Sequence, residues 1–157
     1  MEQPLHLLDV GHVVLDVHAP DFQGCLDALT GYLAQHEALD AVRCRLLTEA
    51  LRDRERLATT GIGRGVAVPH AYVEGVPRVM LLFARLKPPV AHETQDEQPI
   101  DLVFMLVGPR EAQAGHLPLL ARLVRLLHDQ RFLAELRGAA TPEAVLRALR
   151  EVERRHA

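Results

Sequence analysis

The chain has no tryptophan, and only 4% of its 157 residues are aromatic. Proteins that bind single-stranded nucleic acid without sequence preference stack the bases on aromatic side chains, so this scarcity argues against that class. Positive charge is not in excess either, because the formal net charge is -3. A general nucleic-acid binder carries a basic surface. The sequence therefore predicts no nucleic-acid partner.

Long apolar runs and cysteines are also scarce. No stretch of about 18 consecutive apolar residues is present, so no membrane span is expected. Residues 1–4 (MEQP) do not begin a positive cluster followed by an apolar run, which argues against a signal peptide. The two cysteines, Cys25 and Cys44, fall in segments of helical pattern. We therefore expect a cytoplasmic protein without membrane insertion, in which both thiols are buried and reduced.

The length fits a single domain over residues 1–157, which can bury a core without disulfides or metals. Four apolar, β-branched segments predict strands, at residues 12–17, 66–68, 79–86 and 100–107. Helical spacing predicts two helices between the first and second strands, and three more in the last third of the chain. Asp21 and Thr141 are placed to cap the first and the last helix. The predicted order is strand, two helices, three strands, three helices.

The nearly continuous apolar runs at 79–86 and 100–107 suit strands that helices cover on both faces. This pattern predicts an α/β fold. Two helical faces are predicted to be buried in it. The second helix carries the first of them, formed by Val42, Leu46, Leu47, Ala50 and Leu51. The helix after His116 carries the other, formed by Leu117, Leu120, Val124 and Leu127.

His70 ends a glycine-rich segment, residues 59–70, of sequence TTGIGRGVAVPH. Phosphoryl transfer through histidine needs a neutral, oriented imidazole, and an unperturbed imidazole is mostly neutral in the cytosol. It also needs donors for the phosphoryl oxygens, which glycine-freed backbone N–H groups, helix N-termini and arginines supply. His116 precedes a predicted helix, and Arg54 and Arg56 precede the glycine turn. These residues are candidates for one phosphoryl-transfer site.

Each of these features also has a purely structural interpretation. His70 could be a packed strand-end residue, His116 a helix cap, and the arginines a solvated helix end. The glycine turn lacks both the full dinucleotide fingerprint and the phosphate-loop lysine, so no nucleotide site is predicted. Two histidines without a suitably spaced carboxylate or cysteine are too few for a convincing zinc site, and we expect no metal or cofactor. Seven histidines remain unassigned: His6, His12, His18, His36, His92, His128 and His156.

Several segments together resemble a known family. They are residues 54–57 (RERL), residues 60–70 (TGIGRGVAVPH), residues 98–104 (QPIDLVF), and His116 with its leucine-rich helix. In these segments the chain resembles the enzyme IIA domains of the fructose–mannitol class of the bacterial sugar phosphotransferase system. That class includes the nitrogen-regulatory IIA proteins. The resemblance implies a three-layer α/β/α sandwich with a mixed sheet.

The resemblance also implies roles for individual residues. His70 corresponds to the phosphoryl acceptor, His116 to a second active-site histidine, and Arg54 to an arginine that stabilises the phosphoryl oxygens. We expect the turn to contribute to the phosphate environment through Gly63, Arg64 and Gly65. The chain departs from the common pattern at three positions. Asparagine is common at Arg64, glycine often stands at Ala71, and an aromatic residue is expected at His92.

The implied function is that of a phosphotransferase component that carries phosphohistidine. The implied phosphoryl donor is the small carrier protein HPr or its nitrogen-branch relative. The acceptor would be an enzyme IIB or a regulated protein. Two roles stay open at this stage: a free-standing nitrogen-regulatory IIA, or the separately made IIA of a fructose- or mannitol-type sugar permease.

Overall fold

The computed structural model describes residues 7–157, which form a mixed six-stranded sheet with helices on both faces. The strands are β1 (Val13–Val17), β2 (Gly61–Gly63), β3 (Val66–Ala67), β4 (His70–Tyr72), β5 (Met80–Val90) and β6 (Ile100–Gly108). The helices are α1 (Phe22–His36), α2 (Ala41–Leu57), α3 (Leu117–Leu126), α4 (Gln130–Gly138) and α5 (Pro142–Arg155). The predicted α/β sandwich with a mixed sheet is confirmed. Residues 1–4, considered above for a signal peptide, and His6 lie outside the described residues.

The sheet has the order β1-β5-β6-β3-β2, and β4 pairs with β6 beyond the end of β3. β1 runs parallel to β5, and β3 and β4 both run parallel to β6. The pairs β5–β6 and β2–β3 are antiparallel. β6 is therefore the central strand. The segment leading to His70, residues 66–70, runs beside β6 on the side away from β5.

The element order differs from the prediction in the glycine-rich segment. We predicted three strands between the second and third helices, whereas the structure has five, because β2 and β4 are additional. Both have only three residues and show no extended apolar alternation, so a pattern search misses them. Proline has no N–H to donate to a ladder, and Pro69 separates β3 from β4.

The two faces of the sheet are buried in separate apolar clusters. On β6, Leu102, Phe104 and Leu106 belong to the cluster formed with α3, α4 and α5. The alternate residues Val103, Met105 and Val107 belong to the cluster formed with α1 and α2. Because strand side chains alternate between faces, this double burial explains the continuous apolar run.

Side-chain caps fix the helix starts. The Asp21 carboxylate accepts the Gly24 N–H at 2.6 Å, and the Thr141 hydroxyl accepts the Ala144 N–H at 3.1 Å. Both predicted caps are thus confirmed. Helix α2 is capped in the same way by Asp40.

Two predicted helix faces are only partly confirmed. On α2, Leu47 and Leu51 are buried, but Val42 and Leu46 are 45% and 37% exposed. Leu117, predicted as core, is 65% exposed. The buried residues of α3 are Leu119, Arg122, Leu123 and Leu126. Leu117 precedes Leu119 by two residues, which places it about 200° around the helix from that face. The rest of the predicted face does reach the core: Leu127, just after α3, is buried, and Leu120 and Val124 pack against the same cluster.

The two cysteines are free, as predicted, with Cys25 buried and Cys44 only half-buried. Burial raises the pKa of the Cys25 thiol to about 12. Among residues 7–157, no helix combines the length and the apolar character needed to cross a membrane.

Candidate phosphoryl-transfer site

His70 is the first residue of β4 and lies opposite Leu106 of β6. The carbonyl of the preceding Pro69 accepts the Leu106 N–H at 3.0 Å, so the backbone on both sides of the Pro69–His70 peptide is tied to the central strand. The His70 side chain is half-buried. A rigid strand thus presents an imidazole at the edge of the core, still accessible to solvent.

A backbone hydrogen bond orients the His70 ring. Its Nδ1 lies 2.9 Å from the Val68 carbonyl oxygen. A carbonyl oxygen only accepts hydrogen bonds, so Nδ1 carries the proton. In a neutral imidazole the other nitrogen, Nε2, then keeps a free lone pair. The ring is arranged as a nucleophile at Nε2.

The pKa of His70 is lowered from its ordinary value. Burial is the largest cause; the hydrogen bond to the Val68 carbonyl opposes it, the Arg54 cation lowers the pKa further, and the Glu55 carboxylate raises it. A lowered pKa keeps the imidazole neutral at cytosolic pH. Neutrality is the state that a nucleophilic imidazole requires.

Arg54 lies in the last turn of α2, the helix that packs against β4. One of its N–H groups donates to the Ala58 carbonyl at 2.8 Å. A guanidinium has five N–H donors, so others remain for an anion beside His70. Arg56 instead pairs with Asp53 at 2.6 Å, where both side chains are 70% exposed. Of the two candidate arginines, Arg54 is the one whose charge acts on His70.

His116 ends a short 3₁₀ turn and occupies the N-cap position of α3, so its predicted place at a helix start is confirmed. Its side chain makes no capping hydrogen bond, which excludes the simple cap interpretation. Its ring centroid lies 6.0 Å from that of Tyr72. Since alternate residues of a strand share a face, Tyr72 and His70 point to the same side of β4. His116 therefore lies next to the face of β4 from which the His70 side chain projects.

The buried Nδ1 of His116 has no hydrogen-bond partner within the described part of the chain. The ring also borders a cavity of about 460 Å³, which is lined in part by His12 and Arg78. This cavity lies at the start of β5, where Met80 pairs with Val107 of β6. His116 thus lies between this cavity and Tyr72 of β4.

The structure does not bring the glycine turn to His70. Val66 lies opposite Leu102 of β6, and His70 lies opposite Leu106. These two partners are four residues apart along β6, or about 13 Å at 3.3 Å per residue, so the turn before Val66 lies at least that far from His70. The expected contribution of Gly63, Arg64 and Gly65 to the phosphate environment has no geometric support at this distance.

The turn has its own partners, in the loop before β6 and on α4. Gly63, Arg64 and Gly65 have φ values of 95°, 57° and 79°, a left-handed run that favours glycine. The Arg64 N–H donates to Asp96 at 2.7 Å, and its carbonyl accepts from Arg137. These partners hold the turn at the opposite end of the strands from His70.

Sequence reasoning missed Glu55 and left His92 without an account. Glu55 acts electrostatically on His70, and its carboxylate also accepts from the His92 Nε2–H at 2.8 Å. The His92 ring stacks on Phe22 with centroids 4.0 Å apart and an angle of 16° between the planes. His92 therefore fills an aromatic position while adding a polar contact. The position of Glu55 directly after Arg54 was the only available signal in the sequence.

No group of three or more histidine, cysteine or acidic side chains within residues 7–157 is arranged to hold a metal ion. The described residues instead combine the His70 imidazole with the charge of Arg54, on the helix packed against β4, and with a second imidazole, His116, beside Tyr72 of the same strand. Such an arrangement suits the transfer of an anionic group to nitrogen.

Comparison with known proteins points to the same chemistry. Residues 6–152 match the family described as "Phosphoenolpyruvate-dependent sugar phosphotransferase system, EIIA 2". The chain is 41% identical over 122 residues to a nitrogen regulatory protein of Bradyrhizobium diazoefficiens, covering 78% of this chain and 80% of that protein.

Two solved structures are similar in fold. The crystal structure of nitrogen regulatory protein IIA-Ntr from Neisseria meningitidis superposes with a TM-score of 0.84 at 28% identity, covering 92% of this chain and 97% of that one. A complex of the mannitol enzyme IIA with phosphorylated enzyme IIB from Escherichia coli gives a TM-score of 0.74 at 20% identity, with 92% and 97% covered.

Proposed function

Because the chain belongs to the EIIA 2 family of the phosphoenolpyruvate-dependent sugar phosphotransferase system, we propose that Nε2 of His70 accepts a phosphoryl group. The observation that carries the proposal is the hydrogen bond from Nδ1 to the Val68 carbonyl, because it leaves Nε2 as the free nucleophile. The protein is then a phosphoryl carrier, in which the phosphohistidine is formed and passed on.

The donor is a phosphohistidine of HPr or of its nitrogen-branch relative. The Nε2 lone pair of His70 attacks phosphorus, and the bond from phosphorus to the donor nitrogen breaks with its electron pair returning to the donor ring. Nδ1 of His70 keeps its proton, so positive charge develops on the His70 ring as the new bond forms. The hydrogen bond to the Val68 carbonyl then becomes charge-assisted and stronger.

Arg54 and His116 support the transferred group. The free guanidinium donors of Arg54 stabilise the phosphoryl oxygens, whose charge is spread over three atoms during transfer. The His116 ring lies on the side of the site near Tyr72 and supplies a further donor. Since one phosphohistidine replaces another, the protein needs to position the groups and neutralise charge rather than drive the reaction.

The regulatory role is the better supported of the two candidate roles. The chain is a phosphotransferase-system IIA component similar to nitrogen regulatory proteins, and its match to one of them covers about four fifths of both chains. We propose a cytoplasmic, single-domain protein over residues 1–157 whose phosphorylation state alters its binding to a regulated protein. The second candidate is the IIA of a sugar permease, with an enzyme IIB as acceptor, as in the mannitol complex whose fold this chain shares.

The test is reconstitution with phosphoenolpyruvate, enzyme I and HPr, followed by intact mass. The proposal predicts one added phosphoryl group on the wild type and none on His70→Ala. His128→Ala is the matched control, since His128 is an exposed histidine in the turn after α3, with its ring bonded to the Val124 carbonyl of that helix. An unmodified wild type, or an equally modified His70→Ala, would contradict the proposal. Pull-downs with phosphorylated and unphosphorylated protein then separate the roles, because a switch requires different partners.

A further inference from the structure

Glu55 is a largely buried carboxylate with three hydrogen-bond donors around it. Its side chain is 9% exposed. The Thr60 N–H donates to Oε2 at 2.8 Å and the Thr60 hydroxyl donates to Oε1 at 2.6 Å. The His92 ring donates to Oε2 at 2.8 Å. Both oxygens are thus engaged, and the end of α2 is fixed to the residue that precedes β2.

His92 holds this carboxylate from the other side. A carboxylate accepts hydrogen bonds, so the His92 nitrogen that faces it, Nε2, carries a proton. The stack on Phe22 of α1 fixes the plane of the ring. A phenylalanine at position 92 could stack in the same place but could not donate. The hydrogen bond therefore distinguishes His92 from an ordinary aromatic residue there.

The contacts continue from Thr60 to the nucleophile. The Thr60 carbonyl accepts the Val68 N–H at 3.0 Å. The Val68 carbonyl in turn accepts from Nδ1 of His70 at 2.9 Å. A carboxylate on α2 therefore fixes Thr60, Thr60 fixes Val68, and Val68 selects the nitrogen of His70 that carries the proton.

We infer that Glu55 and His92 are positioning residues for the nucleophile: they hold Thr60 and Val68 so that His70 stays in the tautomer with Nε2 unprotonated. Only the effect of this inference on the rate of phosphoryl transfer rests on the proposed function. The tautomer itself is a property of the unphosphorylated protein. Outer hydrogen-bond partners of functional histidines set ring orientation and tautomer in the same manner elsewhere.

Glu55 also acts on His70 through charge. Its carboxylate raises the pKa of His70, against burial and against the Arg54 cation, while the Val68 hydrogen bond acts in the same direction as Glu55. Glu55→Gln removes that charge and also two acceptor sites, because an amide has one oxygen. The His70 pKa is expected to fall in this variant as the Nδ1–H tautomer loses population.

The experiment is ¹⁵N NMR of the histidine rings in the unphosphorylated protein, with His70 assigned from His70→Gln. Wild type is expected to show a protonated Nδ1 and an unprotonated Nε2. His92→Phe, which keeps the stack, and Glu55→Gln should each show a mixture of tautomers. His92→Gln, which keeps a donor without the ring, should return towards wild type. Glu49→Gln, an exposed carboxylate on the same helix, is the matched control and should be unchanged.

Kinetics give a second readout. Single-turnover phosphorylation by phospho-HPr should slow by at least about 10-fold in Glu55→Gln, with the KM for the donor unchanged. A wild-type tautomer and rate in both Glu55→Gln and His92→Phe would overturn the inference. If the wild type accepts no phosphoryl group, the proposed function fails, whereas the tautomer measurement still decides whether Glu55 and His92 position the ring.

Discussion

Replacing Arg54 with glutamine removes a cation that acts on His70 in two ways. In the proposed function its free guanidinium donors stabilise the phosphoryl oxygens, and its charge lowers the pKa of His70. A hydrogen bond to a charged group contributes about 1.5–3 kcal/mol. If one such bond forms only during transfer, losing it slows the reaction by about 10- to 150-fold, at 1.4 kcal/mol for each factor of ten. We expect the rate to fall within that range.

The charge of Arg54 also predicts the direction in which the pKa of His70 changes, independently of the rate. The Arg54 cation lowers the His70 pKa, so Arg54→Gln should raise it. The imidazole must be neutral to attack, and a higher pKa moves the rise of the pH–rate profile to higher pH. A ¹H–¹⁵N NMR titration of His70 should show the same upward displacement in the unphosphorylated protein.

The matched control is Arg56→Gln, two residues along the same helix. Arg56 pairs with Asp53 on the surface, where both are 70% exposed. Such pairs contribute little. The assay is quenched-flow transfer from phospho-HPr between pH 5.5 and 8.5, a range of about one unit or more on either side of the ordinary histidine pKa. Equal rates and equal His70 titration curves in Arg54→Gln and Arg56→Gln would refute the role given to Arg54.

Three further predictions concern other parts of the molecule. His116→Ala should still accept a phosphoryl group on His70 but about 10-fold more slowly, as single-turnover kinetics would show; an unchanged rate would remove His116 from the site. Leu117→Ser, at a 65% exposed position next to His116, should change the free energy of unfolding by less than about 0.5 kcal/mol yet raise the KM for phospho-HPr. Asp129→Ala should lower the free energy of unfolding by about 2 kcal/mol at pH 7, because a helix cap, an ion pair to Arg155 and a hydrogen bond to His156 are lost. Burial raises the pKa of Asp129, but hydrogen bonds from His156, the cap N–H and Arg155 outweigh burial and lower the pKa. The stabilisation is therefore present above about pH 4 and is lost progressively below it. Urea unfolding at pH 3 should show a smaller difference in stability between wild type and Asp129→Ala than at pH 7.

Local signals in the sequence predicted much of the fold. Asp21 and Thr141 cap the helices that they were expected to cap, because a cap depends on residues within one turn. The run over 100–107 identified a strand buried on both faces, because every second residue faces a different cluster. The sequence placed His70 at the end of the apolar strand before Pro69, whereas in the structure His70 begins the further short strand β4.

What the sequence could not supply was set by contacts between distant segments. Glu55 and His92 are 37 residues apart, and no local pattern joins them. The glycine turn was expected near His70, but the register of β3 and β4 against β6 places it at the other end of the strands. Leu117 was assigned to the core because leucine spacing alone does not fix the phase of a helix relative to the sheet.

The central claim is that His70 accepts the phosphoryl group at Nε2 because Val68 occupies Nδ1. Its most direct test is ¹⁵N and ³¹P NMR of the protein phosphorylated by phosphoenolpyruvate, enzyme I and HPr. The account predicts a single phosphohistidine, at His70, with phosphorus coupled to Nε2 and with Nδ1 still protonated. Phosphorus bonded to Nδ1 of His70, or to any other histidine, would contradict it.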